Sequence, residues 1–153
     1  MNAGDDISIL NGLIGATLDS ARHYQRVASN IGNPRIRALF EHLSTQRKQI
    51  AQTLQEQLAA VEGMPAAHAS RVFGNLRHAM NYGYTALIDE VERGEEHVKA
   101  KYECALENER LSGLSRTVVE NAYASVCEGC AETHALKRYP NAEQRHSERL
   151  EQW

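Results

Sequence analysis

Cysteine, proline and the large aromatics are scarce in this chain: its 153 residues include three Cys, three Pro, two Phe and one Trp. A small, odd number of cysteines gives no disulfide framework and points to a reducing compartment. Few prolines and Phe, beside abundant Ala, Leu, Glu, Gln and Arg, favour helix over sheet. Positive charge is not in excess either. The formal net charge is −3 and no basic stripe appears, which removes the electrostatic case for nucleic acid. No apolar run approaches the roughly 18 residues of a membrane span. The opening residues Met1-Asn2-Ala3-Gly4-Asp5-Asp6 lack a basic region and a signal core. The expectation is a cytoplasmic protein that contacts neither membrane nor nucleic acid. Gly-x-Ser-x-Gly, the phosphate loop and Gly-x-Gly-x-x-Gly are missing as well, so nucleophilic and nucleotide chemistry have little support.

What is present is helical periodicity. Leu10, Leu13, Ile14, Thr17, Ala21, Tyr24, Ala28 and Ile31 recur every three or four positions, the signature of one buried helix face. Asp5 or Asp6 is expected to cap that helix, because a short acidic side chain accepts the free N–H groups of a first turn. Asn30-Ile31-Gly32-Asn33-Pro34 then ends it and begins another. Gly32 suits a C-terminal cap, Asn33 an N-cap and Pro34 the first helical position. The second helix is expected over about 34–61, with Ile36, Phe40, Leu43, Ile50, Leu54, Leu58 and Val61 inward. Its line passes through Gln46 and Arg47. A long connection follows, with a short helix expected around Val72, Leu76 and Met80. The third helix, about 85–109, turns Ile88, Val91, Glu95, Val98, Tyr102 and Ala105 inward, with Glu92 beside the stripe. After Leu111-Ser112-Gly113-Leu114, Ser115 is the expected N-cap of a fourth helix. That helix reaches about Tyr139, lined by Val118, Val119, Ala122, Val126, Cys130 and Thr133. The expected architecture is all-α: a ferritin-like four-helix bundle over 1–140, with a long crossover between helices two and three. An up-down-up-down bundle is the alternative. Residues 141–153 read as a polar tail or short extra helix.

Three segments carry a resemblance: Leu10-Asn11-Gly12-Leu13-Ile14, Leu39-Phe40-Glu41-His42-Leu43-Ser44-Thr45-Gln46-Arg47, and Glu90-Val91-Glu92-Arg93-Gly94-Glu95-Glu96 with Tyr102 and Ala105-Leu106. Over about residues 7–138 the chain resembles the bacterial four-helix-bundle proteins of unknown function in the ferritin and rubrerythrin-like clan. The resemblance implies a ferritin-like fold and brings no established activity.

Such a fold invites a di-iron site, which takes a Glu from each of two helices and Glu-x-x-His from the other two. Here Ser20 and Ala21 stand where the first helix would need its Glu. His42, His97 and His134 are preceded at three residues by Leu39, Gly94 and Ala131. Glu143 and His146 form the one Glu-x-x-His, in the tail. The inward charges Arg47 and Glu95 are instead expected to form a buried ion pair, with Gln46 and Glu92 completing its hydrogen bonds. Either charge buried alone would cost several kcal/mol. The competing reading is a polar pocket for a small anion or polar ligand, walled by Thr17, Tyr24, Ser125 and Tyr102. Gly94 costs about 1 kcal/mol in mid-helix, which suggests a close approach by a neighbouring group.

Cys127-x-x-Cys130 with His134 falls on one helix face. The three could bind zinc or copper, serve as a thiol-redox site, or pack as small apolar groups. The functional expectation is a non-catalytic interaction or small-ligand-binding protein without cofactor, with a stress-related role. Its partner is a second copy or another protein, with Phe73, Tyr82 and Trp153 as anchors and Leu150 and Trp153 docking the tail. The alternatives are a zinc or copper protein, a thiol-redox protein, and a divergent metal-dependent oxidoreductase.

Overall fold

The structure is a computed structural model that describes residues 3–62 and 84–138. It contains α1 (Ala3–Ser29), α2 (Pro34–Glu62), α3 (Tyr84–Glu107) and α4 (Gly113–Arg138). No strand occurs among the described residues, and the fold is an all-α four-helix bundle. The expected stripes are the buried ones. Leu10, Leu13, Ile14, Ala21 and Tyr24 face inward from α1, Phe40, Leu43, Leu54 and Leu58 from α2, Val91, Val98 and Tyr102 from α3, and Val119, Ala122 and Val126 from α4.

The α1–α2 turn is built as its residues imply. Asn33 Oδ1 accepts the N–H groups of Arg35 (2.9 Å) and Ile36 (3.3 Å), and Pro34 opens α2. Gly32, expected as a C-terminal cap, lies outside the left-handed region. The end of α1 is closed by Arg37, whose guanidinium donates to the carbonyl of Ile31 at 2.7 and 3.2 Å. The α3–α4 turn repeats the device. Arg116 donates to the carbonyls of Leu106 (2.6 Å) and Asn108 (2.7 Å). Each arginine lies four residues past an N-cap whose carbonyl accepts its backbone N–H, Asn33 for Arg37 and Ser112 for Arg116. A cation at a helix C-terminus meets both the free carbonyls and the negative end of the helix dipole.

Two capping expectations are corrected. Ser112, not Ser115, precedes α4. Asp6 lies inside α1 and is only 3% exposed. Its carboxylate accepts the backbone N–H of Ser112 at 2.9 Å, the Ser112 hydroxyl, and the Ser115 hydroxyl at 2.9 Å. Gln57 Nε2 donates to Ser115 Oγ at 3.0 Å. An acidic side chain on α1 therefore caps α4, which local sequence cannot reveal.

These contacts set the topology. The starts of α1 and α4 and the end of α2 lie at one end of the bundle. Ile31, Phe40, Leu87 and Ile88 cluster at the other. The third helix thus begins at the end opposite to where the second stops, and runs parallel to it. The end of α2 and the start of α3 are thus separated by the length of a 29-residue helix, about 43 Å, a span within the roughly 70 Å reach of a connection as long as 63–83. The crossover is thereby established. α1 pairs with α2 and α3 with α4 as antiparallel hairpins; α1 also packs on α3 and α2 on α4. The expected helix near Val72, Leu76 and Met80, the anchors Phe73, Tyr82 and Trp153, and the tail with Leu150 lie outside the described residues.

The Asp6 cap predicts an acid-dependent stability. Burial alone would raise its pKa, but the hydrogen bonds from Ser112 and Ser115 outweigh that and hold it below the ordinary 3.8. A depressed carboxylate pKa stabilises the fold above the unfolded value, and the contribution fades as pH falls through the folded one. Asp6→Asn should cost about 1–2 kcal/mol at pH 7. Urea unfolding of both proteins should show that difference shrinking once the pH is taken below 3.8.

Candidate functional site

The apolar core is split in two. One cluster gathers Leu13, Ile14, Ile50, Leu54, Val98 and Tyr102; the other gathers Tyr24, Phe40, Leu43, Ile88 and Val91. On α2 the position between Leu43 and Ile50 is Arg47, and on α3 the position between Val91 and Val98 is Glu95. Arg47 is 0% and Glu95 3% exposed. Arg47 Nη1 donates to Glu95 Oε1 at 2.7 Å and Nη2 to Oε2 at 2.6 Å, the two-pronged geometry that gives an Arg–carboxylate pair its strength. The expected buried ion pair is present.

Every helix contributes to it. From α1, Ser20 Oγ accepts a second bond from Arg47 Nη1 at 2.6 Å and stands 3.5 Å from Glu95 Oε1. Also from α1, the ring of Tyr24 lies 5.4 Å from the guanidinium carbon, within cation–π range. From α4, the carbonyl of Val126 lies 3.4 Å from Nη2. Gly129 supplies room: a Cβ there would stand 2.7 Å from Arg47 Nη2 and 3.6 Å from Glu95 Oε2. Burial works against the guanidinium charge, yet the hydrogen bonds and charge of Glu95 outweigh it and raise its pKa. The Tyr24 hydroxyl is pushed far upward, first by burial and then by the Glu95 charge.

The partners expected for the pair are placed differently. Glu92 meets His134 Nδ1 at 3.2 Å, toward the surface of the α3–α4 seam. Gln46 is half-buried, and its Oε1 has no partner among the described residues. Ser20 does the work assigned to them, because α1 brings its hydroxyl directly over the guanidinium. Tyr102 sits on the far side of the pair. Its hydroxyl shares a 2.7 Å hydrogen bond with Thr17 Oγ1, which also donates to the Leu13 carbonyl at 2.6 Å. Burial lifts its pKa to about 12. Two walls of the imagined pocket, Thr17 and Tyr102, are thus bonded to each other.

The residues Cys127, Cys130 and His134 all lie along the α3 side of α4. Cys130 Sγ is 3.8 Å from the carbonyl of Glu95. Burial, followed by the Glu95 charge, pushes its thiol up to about 12. Cys127 lies beside the hydroxyl of Tyr123, which donates to Glu103 Oε2 at 2.6 Å. His134 is exposed on Glu92. Among the described residues no three of His, Cys, Asp and Glu come together as metal ligands. Outside the core, Asp89, Glu92, Arg93 and Glu96 line an open depression on α3.

The close approach that the cost of Gly94 suggested is not found there. The His23 ring lies 3.6 Å from where a Cβ would be, an ordinary contact. His23 itself is half-buried, and burial lowers its pKa. Ser20 and Gly129 are parts of the site that the helical pattern does not mark. The available signal was size: both are small residues at the level of a large buried pair.

Fold and centre together define a four-helix bundle organised around a buried arginine–glutamate pair. Residues 5–108 match the family model described as Domain of unknown function (DUF2383), and the chain belongs to that family. No curated protein matches it.

The site makes two stability predictions, both measurable by urea unfolding. Arg47→Met should cost about 3–5 kcal/mol by stranding Glu95, and adding Glu95→Leu should recover most or all of it. Wild-type stability in the single variant would mean that the pair is not buried. The two glycines should behave oppositely. Gly94→Ala meets ordinary contacts and should gain up to about 1 kcal/mol from helix propensity. Gly129→Ala displaces a guanidinium pinned at both nitrogens and should lose about 1–3 kcal/mol.

Proposed function

We propose that the protein is a ferritin-like bundle of the bacterial cytoplasm that catalyses no reaction. It acts as an interaction protein, as a side-by-side dimer or bound to another protein. What carries this reading is the centre of the bundle. A carboxylate-bridged metal site needs several inward carboxylates at one level. At the level of Arg47, Glu95 is the buried carboxylate, and both of its oxygens are engaged by the guanidinium. The positive charge that a metal would supply comes from the chain itself. Ser20 and Gly129 occupy the places from which α1 and α4 would have to offer ligands. The pair fixes the register of α2 against α3, a use for which buried ionic groups are suited. That leaves the outer faces of the helices as the working surface.

The test uses untagged full-length protein. Light scattering over a range of concentrations should give the mass of a dimer, and aerobic addition of ferrous iron should be oxidised no faster than in buffer. Iron oxidation that depends on Glu95 would overturn the reading. So would a monomer at every concentration that also captures no protein partner after cross-linking in cells.

A further inference from the structure

The contacts between α1 and α3 form a ladder whose third rung is incomplete. Thr17 shares a 2.7 Å hydrogen bond with Tyr102. Ser20 stands 3.5 Å from Glu95. One turn further along α1, His23 faces Gly94, which has no side chain to answer it. A Cβ there would stand 3.6 Å from the ring's Cδ2 and 3.9 Å from Nε2. Nε2 is buried and has no hydrogen-bond partner among the described residues. The ring's backbone hydrogen bond is to Glu90. With Nε2 unengaged, that bond falls to Nδ1, which donates to the Glu90 carbonyl. The neutral ring therefore carries its proton on Nδ1 and keeps a bare lone pair on Nε2.

An imidazole so placed fits the seam only while neutral. Protonation adds an N–H at Nε2, and a buried donor without an acceptor loses the hydrogen bonds that water would give it. The charges around the ring do not cancel that loss. Glu90 and Glu95 of α3 favour the cation, and Arg26 of α1 opposes it. Glu95 is already engaged by Arg47 of α2. Asp19, one turn back on α1, lies 3.8 Å from Arg22 and feels the charges of His97 and Lys101 of α3. Burial outweighs the two carboxylates and holds the imidazole below its ordinary pKa of 6.5. We propose that His23 is an acid-released latch: the neutral ring closes the α1–α3 seam, and the imidazolium turns out to water and opens the seam beside the Arg47–Glu95 pair. His23 is half-buried, so a change of side-chain rotamer brings the ring to solvent. The α1–α2 hairpin is held separately, by Ser44 donating to the Ala21 carbonyl at 2.8 Å, so the opening is confined to α3's side of α1. This latch is independent of the interaction reading of the outer surface. The closed seam is fully stable above pH 6.5 and weakens as the pH falls from 6.5 to the folded pKa, because the unfolded chain then binds the proton that the folded one resists.

The experiment is histidine NMR on full-length, 15N-labelled protein from about pH 8 to about pH 5. At the alkaline end the His23 proton should sit on Nδ1. The ring should titrate with a midpoint below 6.5, and seam amides of α1 and α3 should lose exchange protection with that same midpoint, after correction for intrinsic exchange. Urea unfolding should show wild-type stability falling over this range. His23→Gln, neutral throughout, should lose that fall, while His42→Gln, exposed on α2, should keep it. A His23 midpoint at or above 6.5, a neutral ring protonated on Nε2, or seam amides that ignore the titration would each overturn the proposal. These wild-type readouts decide the matter even where His23→Gln does not fold. An unchanged acid response in folded His23→Gln would overturn it as well.

Discussion

The Arg47–Glu95 pair is the constraint around which the bundle is arranged. Taking two charges out of water costs several kcal/mol per ion, and only close, well-aligned partners offset that. The surroundings follow from this requirement. Both guanidinium prongs meet carboxylate oxygens, and Ser20 accepts a further bond from one of them. Tyr24 lays its ring beside the charge. Gly129 withholds a side chain where there is space for none. The apolar residues then collect above and below in two clusters. Sliding α2 against α3 by one turn would move each charge into one of those clusters without a partner. Register is therefore specified by a penalty on every alternative more than by the strength of the native contact.

Much of this was legible in the chain. The helical stripes named the inward residues, Asn33-Pro34 marked the first turn, and two opposite charges on buried stripes could be stable only together. The length of the middle connection implied the crossover. Other features were not legible, for identifiable reasons. Ser20 and Gly129 matter through the volume they leave, and a small residue on a helix says nothing about what sits opposite. Asp6 reads as a local cap because its position in the sequence suits one; its partners lie on the last helix. Gln46 is adjacent in sequence to Arg47, but on a helix the next residue points about 100° away, and Glu92, three residues before Glu95, points about 60° aside. Glu92 accordingly reaches the α4 surface instead of the core.

The family match ends at residue 108, before α4 begins. The pair itself lies within the matched region, on α2 and α3, but the room it needs is made by Gly129 on α4. The hairpin turns show the same division of labour on a smaller scale. Arg37 and Arg116 each belong to the helix that follows a turn, and each satisfies the carbonyls that precede it. A terminus in this bundle is completed by a residue from the next element, so the helices are not independent units.

The cap provided by Asp6 carries this furthest. It joins the first turns of α1 and α4 across a sequence separation of 106 residues. If the beginning of the chain frays, the beginning of the last helix loses the acceptor for its Ser112 amide and for two serine hydroxyls at the same moment. These two segments, among the most distant in the sequence, belong to a single opening unit. Amide exchange at the two helix starts should therefore follow one local equilibrium, with the first turn of α1 acting as the lock on α4.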